Sequence, residues 1–328
     1  MWQTIGHSWA IEQLTASIAR GNVARASLFT GPEGIGKTTL ALEYAAALNC
    51  VGEFPPCGQC PHCRRVLAGT HPDVFSIEPD NGTIKIGQIR QIQRELSLTP
   101  YEAKWRVAIV SDVHTASEEA ANALLKTLEE PPAQAVLILT AREAGLLLPT
   151  VVSRCRVTTL QAVPADVIAK ALEARGVPAA TAGEIARLAG GHVGWALAAI
   201  TSPDLLQQRK AQVSELLELL ELDDAALVAR ATELAKRADL PEVLRGWQLV
   251  WRDIMLMAAG CRELIANPGA IDALERQASN KGLDLARQAV ADTQKAALYL
   301  EQNVNTQLVV ETLLLGWTKS SGAASLRG

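Results

Sequence analysis

The feature that most constrains this chain is the octapeptide at residues 31–38, GPEGIGKT, which fits the pattern G-x-x-x-x-G-K-[ST]. A short apolar segment at 26–30 precedes it and a helix-like segment at 38–48 follows it, which is the strand–loop–helix setting that a phosphate-binding loop needs. In such a loop the backbone N–H groups turn toward phosphates, and the helix N-terminus adds the positive end of its dipole. The motif therefore predicts that the chain binds ATP or GTP.

Five residues of this loop are expected to bind the nucleotide. The glycines allow a close turn, Lys37 reaches the terminal phosphates, and the Thr38 hydroxyl can bind Mg²⁺. The full set is Gly31, Gly34, Gly36, Lys37 and Thr38. The alternative is a chance glycine-rich turn, which the matching strand and helix disfavour. Hydrolysis is a separate question from binding.

The order of apolar and helical segments predicts an α/β region followed by helices. Short β-branched runs that are typical of fully buried strands lie at 26–30, 74–77, 107–110 and 136–140. Helix-like segments at 38–48, 86–96 and 118–129 alternate with them, which predicts a parallel sheet with helices on both faces. Beyond about Pro164 the periodicity is helical only, with helices expected at 205–221, 225–237, 241–259 and 283–317.

We expect three domains. A nucleotide-binding domain at 1–162 carries a cysteine module at 50–63, a small helical domain follows at 163–203, and an all-helical domain occupies 204–320. The second boundary falls at Pro203 because proline disfavours helical backbone in the residue before it. Residues 320–328 are expected to form a frayed tail.

Composition limits the classes of function. Hydrophobic residues make up 48% and charged residues 20% of the 328 residues, as in ordinary globular proteins. The net charge of −4 argues against a protein that holds nucleic acid by itself, because neutralising phosphates needs clustered Lys and Arg. The sequence contains no apolar run of membrane-spanning length and no signal-peptide pattern, so we expect no membrane contact and a cytoplasmic location.

Four of the six cysteines lie close together after the phosphate loop, namely Cys50, Cys57, Cys60 and Cys63. Two-residue spacers let neighbouring thiolates converge on one tetrahedral ion, and the interspersed Pro and Gly residues make the turns. A closed set of four thiolates predicts a structural Zn²⁺ site. Disulfides or redox thiols are the alternative, which a reducing cytosol disfavours. His62 could replace one ligand, although four cysteines already satisfy zinc.

Two further segments, NALLKTLEEPP at 122–132 and SRC at 153–155, resemble subunits of the bacterial DNA polymerase III clamp loader, which belongs to the AAA+ ATPase class. The chain is most similar to the delta-prime subunit family, with the ATP-hydrolysing tau/gamma subunit as the near relative. The resemblance covers the whole chain in architecture and about residues 1–200 in motifs.

The resemblance implies an AAA+ domain, a helical lid and a C-terminal collar, in a subunit of a hetero-pentameric ring. Its partners would be tau/gamma-like and delta-like subunits, the sliding clamp and, mainly through the complex, primer–template DNA. It also implies that Arg154 is an arginine finger that stabilises charge on a neighbour's γ-phosphate. The alternative for a lone Arg is a surface ion pair.

The sequence departs from an active ATPase of this class in two places. The expected Asp-Glu pair at the end of the 107–110 strand falls on Ser111 and Asp112, so the metal-binding carboxylate is missing and Asp112 is a degenerate catalytic candidate. Gly194 occupies the position of a phosphate-sensing Arg. Thr140 can serve as a polar sensor or merely cap a strand.

These features together favour a delta-prime-like stator that binds nucleotide, hydrolyses it weakly or not at all, and completes a neighbour's site. Any DNA polymerase activity would then be that of the holoenzyme. The first alternative is a tau/gamma-like motor subunit in which Asp112 carries catalysis. The second is a zinc-stabilised ATPase unrelated to replication.

Overall fold

The structure is a computed structural model that describes residues 2–301 and 304–318. Within these residues five parallel strands form one sheet, in the order β2-β3-β4-β1-β5. The strands are β1 (Ala26–Thr30), β2 (Val74–Ile77), β3 (Arg106–Val110), β4 (Ala135–Ala141) and β5 (Arg156–Thr159). The predicted parallel sheet is therefore confirmed, and its four anticipated strands lie within one residue of their expected bounds.

The sheet belongs to a compact unit formed by Met1–Arg175 and Gly191–Trp195. Its helices are α1 (Ser8–Ala19), α2 (Lys37–Leu48), α3 (Pro61–Leu67), α4 (Ile86–Ser97), α5 (Glu118–Glu129), α6 (Pro149–Val152) and α7 (Ala165–Glu173). Side chains alternate along β1, so that Phe29 packs in the core with α2 and Leu28 in the core with α4 and α5. Helices cover both faces, as the alternating pattern predicted.

The second compact unit, Gly176–Gly190 and Ala196–Gly328, contains helices and connecting loops but no strand within its described residues. The remaining helices of the chain are α8 (Ala179–Leu188), α9 (Val193–Thr201), α10 (Pro203–Leu219), α11 (Asp224–Leu234), α12 (Leu240–Ala258), α13 (Ile271–Glu301) and α14 (Thr306–Gly316). Three tryptophan rings are central to its core, with Trp317 lying 5.7 Å from Trp247 and 5.4 Å from Trp251 between centroids. No helix in the described part of the chain combines the length and apolarity that a membrane span requires.

Several sequence-based expectations need correction. β2 is not fully buried, because it is an edge strand that pairs with β3 alone and leaves Ser76 exposed. The single helix expected at 283–317 is instead α13 and α14, and α13 contains a non-helical Gly282 with a φ of +73°. β5 and the helices α1 and α3 were not anticipated.

The proposed boundaries at 162 and 203 stay predictions. The expected tail at 320–328 lies outside the described residues.

Candidate functional site

The carboxyl ends of three adjacent strands bring the predicted nucleotide site together. The phosphate loop, residues 31–38, follows β1; Ser111 and Asp112 follow β3; and Thr140 lies near the end of β4. Because the strands are parallel, these segments meet at one edge of the sheet, where ligands of open α/β sheets bind. The structure therefore unites segments that are far apart in the sequence.

The glycines of the phosphate loop have the backbone conformations that the motif requires. Gly31 has a φ of +147°, and a Cβ at this position would lie 2.5 Å from the carbonyl oxygen of Leu160. Gly34 and Gly36 have φ values of +71° and +105°, and Gly36 directly precedes α2. Glycine is thus needed at Gly31 for close packing as well as for the turn.

Lys37 is buried beneath the loop and is held by the loop's own carbonyl groups. Its Nζ donates hydrogen bonds of 2.8 Å to the carbonyl oxygens of Gly31 and Pro32. Burial lowers the pKa of Lys37, and the nearby Asp112 carboxylate opposes that shift. The next residue, Thr38, is exposed. The loop thus presents a hydroxyl outward and keeps its ammonium group inside.

Asp112 and Thr140 are joined by a hydrogen bond. The Asp112 backbone N–H donates to Thr140 Oγ1 over 2.9 Å, and Thr140 is fully buried. Asp112 has a φ of +48°, in the left-handed region that non-glycine residues rarely adopt. Thr140 thus does act on the backbone of the neighbouring strand end, while its role as a nucleotide sensor stays a prediction.

Ser111 occupies the place where a magnesium-binding carboxylate is expected. It is buried, with 5% of its surface exposed, and its Oγ has no hydrogen-bond partner among the described residues. A hydroxyl at this point carries no charge with which to hold Mg²⁺ firmly. The uncharged, buried Ser111 is therefore consistent with the prediction that the Ser111–Asp112 pair is a degenerate form of the catalytic Asp-Glu pair.

Three charged or titratable side chains near this edge were not expected from the sequence to belong to the site. Burial lowers the pKa of His114, the Asp112 carboxylate opposes the shift, and the Arg142 guanidinium adds to it. Arg142 also forms an ion pair of 3.2 Å with Glu33 in the phosphate loop. His114 follows β3, Arg142 follows β4, and Glu33 lies in the phosphate loop after β1. These positions were the available signal, because side chains there share the sheet edge.

The segment around Gly194 lies directly on the phosphate loop. The Gly194 N–H donates a hydrogen bond of 2.7 Å to the Gly34 carbonyl oxygen. The side chain of His192 donates from Nδ1 to the Glu33 carbonyl oxygen, also over 2.7 Å. The position at which a sensing Arg was sought thus makes a backbone contact, and a Cβ there would lie 3.2 Å from Gly34. Sequence reasoning missed His192.

Arg154 lies just beyond α6 and makes its contacts with α5 and α6. Its Nη2 forms an ion pair of 2.8 Å with Glu129 Oε1, and its Nη1 donates to the Thr150 carbonyl oxygen over 2.9 Å. About a third of its side chain is exposed. This geometry is a surface ion pair, and an action of Arg154 on another chain stays a prediction.

The four clustered cysteines converge as the spacing predicted. Their Sγ atoms all lie within 4.8 Å of one another, with 4.0 Å between Cys57 and Cys63, and none of the six cysteines forms a disulfide. Thiolates bound tetrahedrally to zinc are separated by about 3.8 Å, given Zn–S bonds of about 2.3 Å. Backbone N–H groups within the module donate to Cys50, Cys57 and Cys60.

The pKa values of the four thiols shift in opposite directions. The backbone N–H of Cys60 is the main cause that lowers the pKa of Cys57 to about 6, whereas burial raises the pKa of Cys63. A bound cation would favour the thiolate at all four positions. The donor set therefore fits a structural zinc ion.

His62 does not join the cysteines. Its Nδ1 lies 2.8 Å from His71 Nε2, and His71 Nδ1 accepts a hydrogen bond from the Asp73 backbone N–H. His71 must therefore carry its proton on Nε2 and donate it to His62. The suggestion that His62 could replace a thiolate gains no support from this arrangement.

Comparison with known proteins identifies the family. Residues 6–164 match the family described as DNA polymerase III, delta subunit, and residues 203–319 match its C-terminal counterpart. DNA polymerase III subunit delta' of Pseudomonas aeruginosa is 31% identical over 327 residues, covering 92% of this chain and 94% of that protein. The Bacillus subtilis subunit delta' is 27% identical over 311 residues, covering 91% of this chain and 92% of that protein.

Other similarities are partial or weak. Escherichia coli subunit tau is 32% identical over 171 residues, which is 52% of this chain and 26% of tau. A solved gamma subunit-related protein from Thermotoga maritima covers 94% of this chain and 98% of its own at 20% identity, and its TM-score of 0.42 is too low to support any argument. The full-length similarity decides the assignment, and this chain belongs to the DNA polymerase III subunit delta' family.

Proposed function

We propose that this chain is a stator subunit of the DNA polymerase III clamp loader, which helps to place the sliding clamp on primed DNA. In this role Arg154 serves as an arginine finger toward the ATP site of a neighbouring subunit. The observation that carries the proposal is an asymmetry within one domain. Ser111 leaves the chain's own site without a metal-binding carboxylate, whereas Arg154 lies at the surface and is held there by its ion pair with Glu129.

The chain's own site is proposed to bind ATP and Mg²⁺ and to hydrolyse ATP weakly or not at all. Lys37 would exchange its two carbonyl hydrogen bonds for charge-assisted bonds to phosphate, and exposed Thr38 offers a hydroxyl to the metal. Bound Mg²⁺ supplies positive charge that offsets charge developing on the phosphates. With Ser111 in place of a carboxylate, little in this chain would hold that ion during the reaction.

The cysteine module is proposed to hold a structural zinc ion. Cys50, Cys57, Cys60 and Cys63, whose Sγ atoms lie within 4.8 Å of one another, would together complete a tetrahedral shell and leave no position open to a substrate. Zinc would therefore stabilise the segment after α2 and would take no part in chemistry.

The proposed partners are tau/gamma-like and delta-like subunits in a five-membered ring. The all-helical region at 204–320 would form the collar through which the subunits associate. Contact with the clamp and with primer–template DNA would be made mainly within the complex, since the net charge of −4 favours few direct phosphate contacts. A cytoplasmic location is part of this proposal.

A tau/gamma-like motor subunit is the second candidate. It is favoured by the intact phosphate loop and by the partial similarity to E. coli tau. In that case Asp112 would position the attacking water. The candidate is weakened by Ser111 and by the backbone contact that occupies the Gly194 position.

Steady-state ATP turnover of the reconstituted loader, with clamp and primed DNA present, separates the two candidates. We expect Arg154→Ala to slow hydrolysis at the neighbour's site by about 10³-fold, and Lys37→Ala to change turnover less than about twofold. Arg175→Ala is the matched control, because Arg175 is also exposed and donates to a helical carbonyl, that of Ala171. Loss of turnover in Lys37→Ala with normal turnover in Arg154→Ala would identify a motor subunit instead.

A further inference from the structure

The ion pair of Arg154 links two elements that are separate in the sequence. Glu129 is the last residue of α5, and its Oε1 lies 2.8 Å from Arg154 Nη2. On the other side, the Thr150 carbonyl oxygen in α6 accepts from Arg154 Nη1 over 2.9 Å. Two acceptors on different elements thus determine the direction of one guanidinium group. Arg has five N–H donors, so others stay available to a phosphate.

The position of Glu129 is unfavourable for the helix that carries it. Glu129 ends α5 and Glu130 caps it, which puts two carboxylates beside the negative end of the helix dipole. Carboxylates at that end destabilise a helix, because the last carbonyl groups already carry partial negative charge. Glu130 forms no ion pair within the described residues, whereas Glu129 is paired with Arg154. The ion pair with Arg154 therefore offsets the unfavourable position of Glu129, and Glu130 has no such compensation within the described residues.

The helices that carry Glu129 and Arg154 are packed against the same apolar core. Leu128 in α5 and Val151 in α6 are buried in the same apolar core. The Arg154 backbone N–H donates to the Val151 carbonyl oxygen over 3.2 Å, so the backbone that carries the guanidinium is itself hydrogen-bonded. The carboxylate therefore reaches Arg154 from a rigid neighbour and restricts its side-chain rotamers.

We propose that Glu129 is the positioning residue of the arginine finger. It holds the guanidinium of Arg154 in one direction before a neighbour's γ-phosphate arrives, and it does not itself touch that nucleotide. This inference rests on the proposed function. Ordering a long side chain in advance removes an entropy cost from the reacting complex, which corresponds to about two- to tenfold in rate.

The test compares reconstituted loaders that carry Glu129→Gln, Arg154→Ala or both changes, with Glu130→Gln as the matched control. We expect Glu129→Gln to lower the loader's kcat for ATP about two- to tenfold with KM unchanged, because a finger acts in the transition state. Glu130→Gln should match the unmodified loader. In the Arg154→Ala background, Glu129→Gln should have no further effect, since the two residues act as one unit.

Other outcomes identify which inference is wrong. If Arg154→Ala slows turnover and Glu129→Gln does not, the arginine-finger role of Arg154 is supported and the positioning role of Glu129 is refuted. Faster turnover in Glu129→Gln also refutes it, since the pair would then restrain the finger. An equal effect of Glu129→Gln in both backgrounds, with a lower melting temperature, would assign Glu129 to helix stability alone. If Arg154→Ala is silent, the proposed function fails and this inference fails with it.

Discussion

The cysteine module and the nucleotide site lie in the same compact unit but are assembled over very different lengths of chain. The module gathers four Sγ atoms from the single segment 50–63. The nucleotide site combines the phosphate loop with groups that follow β3 and β4 and with the first turn of α9. One depends on local spacing, and the other depends on the sheet and on the packing of a distant helix.

This difference predicts that the two sites will respond differently to sequence change. A substitution in the module removes a ligand directly. At the nucleotide site, a change can act through a backbone contact, as where Gly194 donates to Gly34. An intact set of cysteines is therefore good evidence of metal binding. An intact phosphate-loop motif is weaker evidence of ATPase activity, because that activity also depends on groups from distant segments.

The largest expected effect is the loss of the proposed zinc ion. Cys57→Ser should abolish stoichiometric zinc and lower the free energy of unfolding by more than about 4 kcal/mol, because loss of a structural metal is among the largest single changes. Metal analysis and denaturant unfolding measure the two quantities. Cys261→Ser is the control, since Cys261 lies outside the cluster. If Cys57→Ser and Cys261→Ser were equally stable, the cysteine module would not hold a structural metal ion.

The next effect concerns Asp73, which directly precedes β2 and lies at the amino ends of β2 and β3. The Asp73 carboxylate is fully buried and accepts hydrogen bonds from the backbone N–H groups of residues 101–103 and from Arg106. Asp73→Asn should lower the free energy of unfolding by about 3 kcal/mol, because it removes the negative charge that pairs with the buried guanidinium of Arg106. Glu95→Gln is the control: Glu95 also pairs with Arg106 but is 41% exposed, so the loss should be below about 1 kcal/mol.

The same residue predicts a pH dependence. Burial alone would raise the pKa of Asp73, but the backbone N–H donors and Arg106 outweigh it and hold the pKa below its usual value. A depressed pKa stabilises the fold above the unfolded value of about 3.9, and this contribution is lost as pH falls through the lower folded value. Denaturation curves of the unmodified chain and Asp73→Asn should therefore converge at acidic pH. A constant difference would exclude the ionised form as the cause.

The smallest effect concerns the sensor position. Gly194→Arg should destabilise the chain by about 1–3 kcal/mol without tightening nucleotide binding, because a Cβ there lies 3.2 Å from Gly34. Gly87→Arg is a matched control, since Gly87 is also the second residue of a helix and has open space around it. Calorimetric unfolding and titration with an ATP analogue provide the measurements. Tighter binding at unchanged stability would show that Gly194 merely lacks a side chain.

Much of the fold followed from local patterns. The buried strands β3 and β4 were predictable because their segments are short, apolar and rich in β-branched residues. β5 was missed because its residues are mostly exposed and carry no apolar run. The division between α13 and α14 was missed because both helices continue one apolar periodicity.

The sequence by itself predicted the phosphate loop, the cysteine cluster, the strands of the parallel sheet and the resemblance to the family, because each is signalled by a pattern of residues close together in the chain. Only the tertiary structure decided that Glu129 meets Arg154 and that Gly194 rests on Gly34. Those contacts depend on how packed helices orient side chains and backbone across separate segments. No local pattern encodes that orientation, since it arises from the shared core between the elements.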